Sequence, residues 1–114
     1  LVNPFMFVTA VNNLVDNGLK YNKEPIKRIH IRLSMGGVNT VMMTVHDNGI
    51  GISHNQLPYI FTKGYRGKQE ASSNGLGLGL FFVKEVMRIH RWKIDVKSGT
   101  QSGTTFSVSI PIIQ

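Results

Sequence analysis

Apolar side chains recur at Phe5, Val8, Val11, Val15 and Leu19, with Phe7 and Leu14 beside them, and this spacing predicts an amphipathic helix. Asn3 suits its cap and Pro4 its first turn, where a missing N–H costs nothing. The pattern ends near Tyr21-Asn22, ahead of Pro25. Residues 28–34 then alternate, with Ile29, Ile31 and Leu33 on one face; Gly36-Gly37 is the expected turn, and residues 38–46 read as the returning strand of a hairpin. From 47 to 74 the pattern lapses, and only residues 55–61 suggest a short helix; so long an irregular stretch in a small domain commonly carries function. Periodicity returns over residues 80–90 as a second amphipathic helix. Residues 92–97 and 104–110 alternate on either side of a turn at 99–103. Helix, hairpin, loop, helix, hairpin is an α+β order, with helices on one face of an antiparallel or mixed sheet.

Length narrows this picture to one domain, residues 1–114, read as part of a larger protein. An apolar content of 41% with 17% charged residues fits a folded chain and excludes a disordered tail. The absence of cysteine excludes a disulfide framework and a thiolate metal site. No apolar run approaches the roughly 18 residues of a membrane span, so any membrane anchor is expected elsewhere in the parent. The net charge of +7 is spread mostly over scattered positions that read as solvated, such as Lys23, Lys27, Arg28, Arg88, Arg91, Lys93 and Lys97. Only Lys63, Arg66 and Lys68 cluster, and they sit beside glycines, which points to phosphate. A nucleic-acid module needs aromatics interleaved with basic residues on an exposed face; here most aromatics keep core spacing, so no nucleic-acid partner is expected.

Three segments carry candidate chemistry. In the first helix Asn13, Asn17 and Lys20 fall on one narrow stripe at about 100° per residue. Asparagine is a mediocre helix former, yet its amide oxygen is a hard, neutral ligand of the kind Mg²⁺ accepts, and a lysine one turn on can meet a phosphate. A plainly polar helix face fits the same stripe. Next, Asp47-Asn48-Gly49-Ile50-Gly51-Ile52 follows a strand. This is common turn chemistry. It equally suits a carboxylate accepting a hydrogen bond from the adenine amino group, with glycines letting the backbone approach a flat base. Third, Gly75-Leu76-Gly77-Leu78-Gly79-Leu80 runs into the second helix. It is neither a Walker loop nor a dinucleotide fingerprint. Its N–H groups and the helix start favour an anion, although a hinge ahead of a core helix would look the same. Between these lies residues 61–68, an aromatic anchor with three cations that fits a lid over a triphosphate.

In this order, these segments resemble the GHKL (Bergerat-fold) ATPases, and within them the catalytic domain of bacterial sensor histidine kinases. Residues 13–21 resemble the N box, 47–51 the first glycine box, 61–66 the F box, 75–79 the second glycine box and 103–106 the third. The resemblance spans nearly the whole chain and implies a two-layer α/β sandwich: a mixed, mostly antiparallel five-stranded sheet with three helices on one face. It implies ATP and Mg²⁺ as ligands. Asn17 would hold the metal, and Asn13, Lys20 and Arg66 would act in catalysis. Tyr21 would lie beside the nucleotide and Asp47 would bind the adenine amino group. Gly49, Gly51 and Ile52 would line the base pocket; Gly75, Leu76, Gly77, Leu78 and Gly79 would form the phosphate side; Lys63 would reach phosphate and Thr105 would add a contact near adenine. Three positions depart from the family pattern: Gly18 stands for alanine, Gly64 for a second phenylalanine, and His90-Arg91-Trp92 for His-Gly-Gly.

Hydrolases of the superfamily carry a glutamate four residues before the metal asparagine, as general base for water. Here that position is Asn13, which cannot accept a proton at neutral pH. The resemblance therefore implies transfer of the γ-phosphoryl group to a histidine on a separate dimerisation domain, with a response regulator downstream. None of His30, His46, His54 and His90 sits in a phosphoacceptor setting, so residues 1–114 are expected to bind ATP without labelling themselves. The resemblance also implies a cytoplasmic domain whose parent is anchored in the inner membrane. Rival readings are another kinase of the superfamily, an anti-sigma serine kinase or a mitochondrial dehydrogenase kinase, and a degenerate scaffold.

Overall fold

The computed structural model describes residues 2–65, 78–99 and 103–112. Helix α1 runs Pro4–Lys20, strand β1 Ile29–Gly37, β2 Thr40–Asp47, helix α2 Gly79–His90, β3 Lys93–Gly99 and β4 Gly103–Pro111. The Asn3 side chain accepts from the Met6 N–H, and Pro4 opens the first turn, so α1 starts as its sequence predicts. The short helix expected over residues 55–61 is a single 3-10 turn at Leu57–Tyr59. Pro58 removes a donor there, and Gly64 ends the segment at φ +75.

The sheet order is β1-β2-β4-β3, and every neighbouring pair is antiparallel. Among the described residues the α+β fold thus has four strands and two α-helices. The five strands, the mixed sense and the third helix implied by the resemblance are not found among them. The first hairpin also turns later than expected. β1 continues through Gly36-Gly37, with its register shifting between Met35 and Gly37, and Val38-Asn39 makes the turn. Asn39 can sit there because asparagine tolerates its φ of 54.

Register settles which side chains share a face. Met43 lies opposite Val108, Val45 opposite Phe106, and Asp47 opposite Thr104. Ile94 and Val96 of β3 continue those rows. This inner face packs on Ala10 and Leu14 of α1 and on Val83, Val86 and Met87 of α2, forming one core. The expected α1 stripe is rotated. Ala10, Leu14 and Gly18 are its buried line, while Phe5, Val8 and Leu19 are exposed. Small residues let α1 lie close to its neighbours: a Cβ on Gly18 would come within 2.7 Å of Ile29 Cδ1. Phe61 anchors the irregular segment edge-on against Phe106, at 6.2 Å between ring centroids.

Candidate functional site

The site grows where α1 ends beside the exit of β2. Asp47 is the last residue of β2 and turns inward, only 6% exposed. Its Oδ1 accepts the Gly49 N–H at 2.8 Å, fixing the turn that follows. Burial pushes its carboxyl above the ordinary value of 3.8, while the N–H groups of Gly49 and Thr104 and the nearby His46 pull the other way with less effect. Glycines allow the crowding around it. A Cβ on Gly18 would lie 2.9 Å from Asp47 Cβ, and one on Gly49 would lie 2.7 Å from the Tyr21 carbonyl oxygen. Gly51 takes φ +80 with the Gly99 carbonyl pressed against it. Side chains at these three positions would collide with the neighbouring backbone or with Asp47 and Ile29.

The C-terminal half of α1 approaches this carboxylate through Gly18, which packs on Asp47; Asn17 is the residue before it in the helix. Asn13 and Asn17 are half-buried. Asn13 Nδ2 donates to the Gly79 carbonyl at 3.3 Å, joining α1 to the start of α2 across 66 residues of sequence. Lys20 is exposed in the last turn, its Nζ 5.5 Å from the Tyr21 ring centroid. Tyr21 caps the helix, and its carbonyl accepts the Ile50 N–H at 3.0 Å. Ile52 donates its N–H to Ser98 Oγ at 2.6 Å. Leu78 and Gly79 lie exposed at the N-terminus of α2, and Lys63 Nζ stands 5.9 Å from the Phe81 ring. Arg66, Gly75, Leu76 and Gly77 lie outside the described residues.

Thr105, expected to contribute a water-mediated contact near the adenine, pairs with His46 rather than Asp47. Its side chain sits on the open face of the sheet, 2.6 Å from His46 Nδ1, on the side away from Asp47. The residue beside Asp47 is Thr104, which is buried and opposite it in register. A strand's alternation reverses faces at each step, so an error of one residue moves a side chain across the sheet. Sequence reasoning also passed over Ser98. Its hydroxyl accepts from Ile52, donates to the Gly103 carbonyl at 3.0 Å and meets Thr104 Oγ1 at 2.8 Å. It missed Asn22 and Asn48 as well, which bond to each other at 2.6 Å. A lone serine on a strand and asparagines in a loop give no signal until register and contacts are known.

Two contacts thus bring the pieces near one another: Gly18 of α1 packs on Asp47, and Asn13 of α1 bonds to Gly79 at the start of α2. The sequence profile of the histidine kinase-, DNA gyrase B-, and HSP90-like ATPases matches residues 3–114. The chain belongs to this family. It is 34% identical over 102 residues to the heme sensor protein HssS of Staphylococcus haemolyticus, covering 90% of this chain and 22% of that one. It is 32% identical over 115 residues to the signal transduction histidine-protein kinase ArlS of Staphylococcus epidermidis, covering 98% of this chain and 25% of that one. The mycobacterial sensor histidine kinase MprB superposes with a TM-score of 0.87 at 26% identity, covering 97% of this chain and 75% of that one. The chain therefore spans about a quarter or less of the length of these curated relatives, and it is an ATPase-family domain of the sensor histidine kinase type.

Proposed function

We propose that residues 1–114 are the catalytic ATP-binding domain of a larger sensor histidine kinase, which transfers the γ-phosphoryl group of ATP to a histidine on a separate dimerisation domain. One observation supports this reading: Gly18, next to Asn17 in α1, packs against the buried Asp47, so the end of the amide-bearing helix lies beside the strand-end carboxylate. Asp47 accepts from the adenine amino group; guanine has a carbonyl there, which a carboxylate repels. Gly49, Gly51 and Ile52 line the base, and Thr104 takes the place first given to Thr105. Asn13, Lys20, Tyr21, Lys63, Arg66 and the 75–79 run serve the phosphates.

Mg²⁺ fits the donor set. Asn17 would hold it through a neutral amide oxygen, and Asn13 still has its own oxygen free to accept because its contact with Gly79 uses Nδ2. When bound, the metal neutralises phosphate charge. The chain itself orients the nucleotide and excludes a general base for water, since Asn13 cannot take a proton. Two of the four histidines are already engaged by hydrogen bonds. His90 uses both ring nitrogens, with the Asn3 N–H at 3.0 Å and the Val86 carbonyl at 2.8 Å, and His46 is held by Thr105. A cytoplasmic location, an inner-membrane anchor in the parent and a downstream response regulator belong to the same proposal; none of the described helices is long and apolar enough to cross a membrane.

The sheet is completed at β1. Among the described residues no strand lies beside its outer edge, and Ile31, Leu33 and Met35 on its inner face are exposed. A strand from the parent protein, running parallel to β1 and entering α1 as a right-handed crossover, would supply the fifth, mixed-sense member. The strand count for the intact domain is then five.

Calorimetric titration tests the nucleotide reading. ATP is expected to bind and GTP to bind much more weakly, with Mg²⁺ strengthening ATP. Asp47→Asn is expected to weaken ATP about 10- to 100-fold, the worth of a hydrogen bond to a charged group. Unchanged affinity in that variant would end the adenine assignment. Radiolabelled ATP is expected to leave the isolated chain unlabelled; robust labelling would overturn the separate-acceptor reading.

A further inference from the structure

The helix half and the strand half of the site belong to different layers of the fold; the Tyr21 carbonyl ties them by accepting the Ile50 N–H, and the side chain of the next residue, Asn22, adds a second tie. Asn22, in the connection from α1 to β1, is 4% exposed, and its Nδ2 donates to Asn48 Oδ1 at 2.6 Å. Asn48 Oδ1 also accepts the Arg28 backbone N–H at 2.8 Å, and Asn48 Nδ2 donates to the Ile26 carbonyl at 2.9 Å. The Asn48 backbone N–H reaches the Arg28 carbonyl at 3.2 Å. Asn22 Oδ1 in turn accepts the Glu24 N–H at 3.0 Å. These partners fix both amide orientations. A backbone N–H can only donate and a carbonyl can only accept, so Asn48 must present oxygen to Asn22, and Asn22 must answer with its NH₂. Asn48 directly follows Asp47, and Asn22 directly follows Tyr21, the cap of the helix that carries Asn17 and Lys20.

We infer that Asn22 is a positioning residue for ATP: its amide, clasped to Asn48, sets the spacing between the base end of the site at Asp47 and the phosphate end at Asn17 and Lys20. This rests on the nucleotide reading above. A ligand that spans both ends feels the spacing, and a ligand that occupies only the base end does not. The clasp therefore separates ATP from adenosine, a distinction that a purely structural role would not make.

The experiment titrates wild type, Asn22→Ala and Asn22→Ser with ATP plus Mg²⁺ and with adenosine, with circular dichroism and thermal melting as fold controls. Asn22→Ala is expected to weaken ATP about tenfold and to leave adenosine within about twofold, the scale of one lost buried hydrogen bond. Asn22→Ser is expected to recover most of the ATP affinity, because a hydroxyl can donate to Asn48 and accept from Glu24 at once. If Asn22→Ala does not fold, Asn22→Leu, which fills the same space without hydrogen bonds, is expected to give the same split. Equal weakening of both ligands, or no weakening of either, overturns the clasp while leaving the nucleotide reading in place. Absence of saturable ATP binding by wild type overturns the nucleotide reading itself, and the clasp with it.

Discussion

β4 and β1 are both nine residues long, both alternate apolar with polar side chains, and both pair antiparallel with β2. In β4 the inward Phe106 and Val108 are 1% and 0% exposed; in β1 the inward Ile31, Leu33 and Met35 are 51%, 67% and 68% exposed. Among the described residues β4 has a strand on each side and two helices above, whereas β1 has one neighbouring strand and only its Ile29, beside Gly18 and Asp47, reaches the core. Alternation tells which way a side chain faces. It does not tell whether anything faces it. The site lies at the end of the sheet where even β1 is covered, in the row Ile29, Asp47, Thr104 and Ser98.

The largest test of this contrast is a pair of truncations. Phe106→Ala is expected to cost about 3–5 kcal/mol, because it removes a fully buried ring and the edge contact with Phe61. Leu33→Ala in the isolated chain is expected to stay within about 0.5 kcal/mol, as for other exposed positions. Urea denaturation of both measures the difference, and equal costs would erase the distinction between centre and edge.

The buried row makes a second prediction, in pH. Burial raises the Asp47 carboxyl in the folded chain above 3.8, so the native state holds that proton more tightly than the unfolded one. The stability this contributes is present below 3.8 and is lost as pH rises through the raised value. Asp47→Asn has no such charge to bury. Its stability relative to wild type is expected to climb as pH rises from about 3.5 towards 7 and then level off. Denaturation curves for both proteins across that range decide it; a constant difference would mean the carboxyl is not penalised by burial. The same variant is expected to bind ATP more weakly, so a gain in stability with a loss of affinity would mark Asp47 as a functional charge held at a structural cost.

Much of the fold was legible because period and punctuation are local. The N-cap of α1, both helices, the four strands and the shared face of Ile29, Ile31 and Leu33 follow from residue spacing alone. What escaped depends on partners. The Gly36-Gly37 pair reads as a turn, but alternation carries β1 through it, and Asn39 takes the positive φ instead. Ala10 and Gly18 add little to a hydrophobic stripe, yet their smallness lets α1 approach its neighbours, so the buried line runs through them. Thr104 and Thr105 are chemically alike, and only register with Asp47 and His46 separates them. Asn22 and Asn48 look like solvated loop residues until their mutual hydrogen bond is seen.

Gly18 also reverses an expectation drawn from helix propensity. Alanine at a helix interior is worth about 1 kcal/mol over glycine, so Gly18→Ala should stabilise α1 taken by itself. In the fold the added methyl would meet Ile29 Cδ1 at 2.7 Å and Asp47 Cβ at 2.9 Å. The isoleucine terminus can swing aside, but Asp47 Cβ is fixed by its strand. Overpacking of this kind costs about 1–3 kcal/mol, so a net loss near 1 kcal/mol is expected, together with weaker ATP binding as Asp47 is pushed from its place. A more stable variant with unchanged affinity would show that the covered end of β1 is as yielding as the open end.

The smallest effect on stability belongs to the open end itself. Leu33→Lys places a charge where the side chain already meets water, and its folding free energy is expected to shift by no more than about 0.5 kcal/mol. Its association behaviour should change far more. An uncovered strand edge above an apolar face is a template for pairing with another chain, and an inward-pointing lysine is a common way of blocking it. Sedimentation of the isolated chain is expected to show concentration-dependent self-association that Leu33→Lys removes while its melting temperature holds. If wild type stays monomeric at high concentration, the edge of β1 is not adhesive, and the fifth strand proposed to cover it loses its physical motive.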